Sequence, residues 1–145
     1  STKPAAKPTE AAPREGAFGK GTSTLPILTK DQLRQCMAEE SRMKKEGNDL
    51  AQAQAKMEKD RADIERLGAE LEADKAKVDT SDEAAVNAYN ERARQRTKMI
   101  EEFKAGAPAF NARVDKLVVD RQAYAAACAD RRFFEEDYEA IKAGK

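Results

Sequence analysis

Apolar residues recur along this chain with the period of a coiled coil. Cys36, Met43, Leu50, Met57, Ile64, Leu71 and Val78 follow one another every seventh position, and Val86, Ala93, Ile100, Ala107, Val114, Arg121 and Cys128 do the same, Arg121 being the only charged member. A heptad repeat held this long keeps one stripe of a helix against a partner helix. Between the two columns, Asp79-Thr80-Ser81-Asp82-Glu83 breaks the pattern with residues that compete for backbone hydrogen bonds. The pattern predicts an all-α fold: an antiparallel two-helix coiled-coil hairpin over 28–130, with helices over 29–78 and 82–130 and a turn at 79–82.

The ends of the helices are also written locally. Thr29 is an N-cap with Gln32 three residues on, flanked by Leu28 and Leu33 as a hydrophobic staple. Thr80 with Glu83, or Ser81 alone, offers a second cap. Within the second helix Pro108 removes a backbone donor and predicts a kink or short break. Residues 1–27 are rich in Pro, Ala, Lys, Gly and Thr with few large apolar side chains, which predicts a flexible tether, of the kind that separates domains from membrane anchors and also occurs in free proteins. Residues 131–145 form a short C-terminal segment in which Phe134, Tyr138 and Ile141 share a helical face, predicting a flap against Leu25, Ile27 and Leu28.

Folding the chain at Asp82 sets the columns in register. Val78 faces Val86, Leu71 faces Ala93, Ile64 faces Ile100, Met57 faces Ala107, Leu50 faces Val114 and Met43 faces Arg121. The same register brings Cys36 opposite Cys128, the only two cysteines of the chain. Facing positions of close antiparallel helices come within disulfide reach, so a Cys36–Cys128 bridge is expected, the alternative being two reduced thiols buried in the seam. A bridge implies an oxidising compartment, periplasmic or secreted, with any signal peptide removed. Two thiolates without His leave a zinc site half built.

A second column, Tyr89, Arg96, Phe103, Phe110, Leu117 and Tyr124, faces Lys75, Gly68, Arg61, Gln54, Gly47 and Glu40 in that register. Either the glycines and long polar stems cover these rings, or Tyr89, Phe103, Phe110, Leu117 and Tyr124 form a partner-binding ridge.

Composition narrows the function. Charged residues make up 37% of the 145, with 27 basic balanced by 27 acidic, and His is absent. Without imidazole the common Ser/His and Cys/His designs are excluded, and the acidic run Glu135, Glu136, Asp137 and Glu139 reads as a solvated face rather than a catalytic or metal cluster. Interspersed charges disfavour nucleic acid, and no apolar run reaches the length of a membrane span. No cofactor is implied. The expectation is a non-enzymatic extracytoplasmic structural or adaptor protein that presents its hairpin to a protein partner or self-associates.

Leu28-Thr29-Lys30-Asp31-Gln32 resembles the LTxxQ signature of the small periplasmic stress chaperones of the Spy and CpxP type. That family carries a second copy of the motif, which is absent here, and local capping chemistry accounts for the pentapeptide by itself. The resemblance implies the alternative function, a periplasmic chaperone or stress sensor that binds unfolded clients.

Overall fold

The computed structural model describes residues 12–145. The part of the predicted tether that covers residues 1–11 lies outside them. In chain order the elements are β1 (Glu15–Ala17), α1 (Lys30–Lys75), α2 (Glu83–Ala127), β2 (Arg132–Phe134) and α3 (Glu135–Lys142). The chain divides into two compact units. One, here the terminal unit, combines the residues up to Arg42 with Asp120–Lys145; the other, the central unit, is Met43–Val119.

α1 begins as its sequence dictates. The Thr29 amide donates to Gln32 Oε1 at 3.0 Å and the Gln32 amide to Thr29 Oγ1 at 3.2 Å, the reciprocal pair of a capping box. Its C-terminus comes at Lys75, before the expected Val78, because the amides of Lys77 and Val78 both turn back onto the Asp74 carbonyl. In the turn the Asp79 carboxylate accepts from the amide and hydroxyl of Ser81, at 2.9 and 2.6 Å. Those bonds occupy Ser81, and the cap of α2 passes to Asp82, whose Oδ1 accepts from the Ala85 amide at 3.2 Å. Neither Thr80 nor Ser81 caps the helix as the sequence suggested. α2 also runs through Pro108 without a break.

Within the central unit the two helices pair antiparallel in the expected register. The Arg96 guanidinium lies on Gly68, where a Cβ would come within 2.8 Å of Nη2, and its Nε donates to the Ile64 carbonyl at 3.0 Å. Arg61 sits 5.7 Å from the centroid of the Phe103 ring. Leu50, Ile64 and Leu71 of α1 are buried, as is Leu117 of α2, whereas Val86, Ala93, Ile100, Ala107 and Val114 remain half-buried. The small residues of the second column leave a thin seam. Ion pairs clamp it from outside: Arg92 with Asp74 (2.6 Å) and Glu70 (3.1 Å), and Arg113 with Glu46 (2.9 Å).

The terminal unit departs from expectation. Residues 12–27, assigned to the tether, contribute a strand and a core residue. β1 pairs antiparallel with β2, Gly16 opposite Phe133, and a Cβ at Gly16 would lie 2.6 Å from the Phe133 ring. Phe18 is buried against Tyr124 and Phe133, with ring centroids 6.1 and 5.2 Å away. The chain turns after Phe18 through Gly19 at φ +62°, a conformation that glycine adopts without cost. Phe133, not Phe134, is the inward aromatic. Three extended residues precede α3, so alternation rather than helical spacing decides which ring faces in. The core comprises Phe18, Leu28, Leu33, Cys36, Cys128 and Phe133, with Tyr138 and Ile141 packed on it. Of the residues expected under the flap, Leu28 is buried, Ile27 is half-buried and Leu25 is exposed.

Candidate interaction surfaces

The two cysteines are joined. Cys36 in the second turn of α1 and Cys128 just past the end of α2 lie with Cα atoms 5.7 Å apart and form a disulfide. Both are buried within the core of the terminal unit. The bridge closes a sequence separation of 92 residues.

Arg131 locks the segment that follows. It is the one buried charged residue among those described, and every arm of its guanidinium is used. Nε and Nη2 donate to the Pro26 carbonyl at 3.1 and 2.7 Å, and Nη1 donates to the Ala127 carbonyl at 3.0 Å, which caps the C-terminus of α2. Beside it Asp130 adopts φ +56°, and its Oδ1 accepts from the Lys20 amide at 2.9 Å. Nothing in the heptad pattern foretold the contacts to Pro26 and Lys20, because both lie in the segment before α1, outside the two columns.

The second column is not one continuous ridge. Tyr124 is taken into the terminal unit: its ring meets Phe18 and its hydroxyl donates to the Glu40 carboxylate at 2.8 Å. Burial, and then that hydrogen bond, push the Tyr124 phenol well above its ordinary range, so it stays a donor. Leu117 is buried in the central unit. Leu117 is thus covered inside its unit, whereas Tyr124 is half-buried, packed against the terminal core and lining the cleft over the disulfide. Tyr89, Phe103 and Phe110 stay half-buried. Phe103 and Phe110 line grooves on two sides of the central unit, one bordered by Gln54, Glu58 and Val114, the other by Ala53, Gly106 and Ala109. Val118 and Val119 are large apolar side chains left exposed on α2, and the sequence reading did not single them out.

Several charged side chains of the terminal unit are paired. Arg42 pairs with Glu39 and, at 3.0 Å, with Asp120, and both carboxylates hold its guanidinium in the charged form. In the C-terminal acidic run, Glu135 pairs with Arg14 at 3.2 Å, and Glu135, Glu136 and Asp137 occupy the first turn of α3, where carboxylates complement the helix dipole. Among the described residues no three His, Cys, Asp or Glu side chains are placed to hold a metal ion. A cleft of about 330 Å³ lies over the disulfide between Gln35 and Glu39 of α1 and Ala123 and Ala127 of α2. No described helix is long and apolar enough to cross a membrane.

No family model, curated protein or solved structure matches this chain.

Proposed function

We propose that this chain is a non-enzymatic adaptor that works outside the cytoplasm, presenting its helical hairpin to a protein partner. The observation that carries the reading is the buried Cys36–Cys128 bridge around which the terminal unit's core is assembled, since such bridges persist in oxidising compartments. The adaptor role is supported by the central unit, where Phe103 and Phe110 are half-buried rings at open grooves between the helices. Aromatics at grooves are the side chains that most often anchor a partner.

Affinity capture from the native host, with the full chain as bait, tests this. A defined partner recovered with the native sequence and weakened at least about ten-fold by Phe103→Ala/Phe110→Ala supports an adaptor. Free thiols in protein isolated from its native compartment would remove the extracytoplasmic assignment.

A client-binding chaperone is the second reading, favoured by the same two rings because apolar grooves also accept unfolded segments. Suppression of aggregation of an unrelated denatured protein, lost in the double variant, would select it over the adaptor.

A further inference from the structure

We propose that a second copy of this chain docks on the central unit through α2, antiparallel, about a two-fold axis between Ala107 and Pro108. Three glycines, Gly47, Gly68 and Gly106, lie within α1 and α2, and each is a poorer helix former than alanine. Gly68 is accounted for inside the chain, since Arg96 occupies the space a side chain would need. At Gly106 a Cβ would meet nothing within 4 Å. This open position lies in the apolar groove bordered by Phe103, Ala109 and Phe110, so its lack of a side chain admits something from outside the chain.

The spacing on that face is palindromic. Glu102, Gly106, Ala109 and Arg113 all line the groove, with intervals of four, three and four residues. Turning a second α2 end for end about the midpoint sets Gly106 against Ala109 of the other copy and Glu102 against Arg113 of the other copy, each twice. Small residues at the crossing let helix axes approach closely, and the groove's charged rim becomes complementary to itself. Glu102 is largely exposed, with a loose 3.9 Å pair to Lys98 and with Lys56 also near it, and Arg113, while bonded to Glu46 at 2.9 Å, keeps nearly half its surface open to a second carboxylate. A two-fold contact of this kind is isologous and closes at a dimer.

The second copy takes the groove bordered by Gly106 and Ala109 and leaves the one bordered by Gln54, Glu58 and Val114 to the adaptor's partner, and because the dimer is measured on the purified chain alone its failure is distinguishable from failure of the adaptor reading. Sedimentation equilibrium of the full oxidised chain over a dilution series should give a monomer–dimer equilibrium. Glu102→Arg and Arg113→Glu should each raise its dissociation constant at least about ten-fold, and the two together should restore it. Gly106→Gln should abolish the dimer while leaving the melting temperature equal or higher, which separates loss of contact from loss of fold. A chain that stays monomeric throughout, a dimer indifferent to Gly106→Gln, or single charge reversals that the double variant fails to rescue would each overturn it.

Discussion

Phe18→Ala tests whether the N-terminal strand is held in place by one ring. The side chain is 8% exposed, so almost all of its transfer free energy, about 1.5–3 kcal/mol, is realised on folding. Its contacts with Tyr124 and Phe133 add about 0.5–1.5 kcal/mol each. Core Phe→Ala changes cost about 3–5 kcal/mol, and because β1 can settle toward the gap we expect the lower end, about 3 kcal/mol. The disulfide still holds α1 to α2, so the loss should appear as local opening of residues 15–23 rather than global unfolding. Three amides report on it: Phe18 to the Arg131 carbonyl, Ser23 to that of Asp130, and Glu135 to that of Arg14, at 3.0, 3.0 and 2.9 Å. Hydrogen exchange at these amides should accelerate by roughly two orders of magnitude, or reach the unprotected rate, with amides in the middle of α1 unaffected. Acceleration of less than about five-fold, near 1 kcal/mol, would show that Phe18 does not hold the strand.

Reduction, or Cys36→Ser with Cys128→Ser, removes a cross-link over 92 residues, worth about 4–5 kcal/mol in the chain-entropy model; denaturant titrations by circular dichroism should show a lower midpoint with helical signal retained before the transition. Gly68→Ala should change sign with its background. In the native chain it displaces Arg96 from the Ile64 carbonyl and offsets the gain in helix propensity, whereas in an Arg96→Ala chain the same change should stabilise by about 1 kcal/mol, as read from a double-mutant cycle. Tyr124 sets an alkaline limit. Its raised pKa means that the folded state favours the neutral phenol, so the contribution is complete below the ordinary value of 10.0 and is lost as pH climbs from there toward the folded-state value; Tyr124→Phe should flatten that part of the stability profile.

The hairpin was legible in the sequence because its determinants are local and repetitive. A seven-residue period and a polar break state where two helices lie and which residues face, and from that register alone Cys36 meets Cys128, Arg96 meets Gly68 and Phe103 meets Arg61. The Thr29–Gln32 capping box needs only four consecutive residues to act and was equally readable. The terminal unit was not. A three-residue strand has too few positions to register a period, and Phe18 in a stretch of Gly, Ala, Thr and Lys has no neighbour in sequence to suggest a core. Its partners Tyr124 and Phe133 lie more than a hundred residues away and reach it only after the hairpin has returned the chain to its starting point. The same long-range geometry chose Phe133 over Phe134, packed Tyr124 against the core and buried Arg131 against the Pro26 carbonyl. Periodicity reports what a residue shares with neighbours on its own element; which strand covers an end, and which aromatic remains open, depends on elements that meet only in three dimensions.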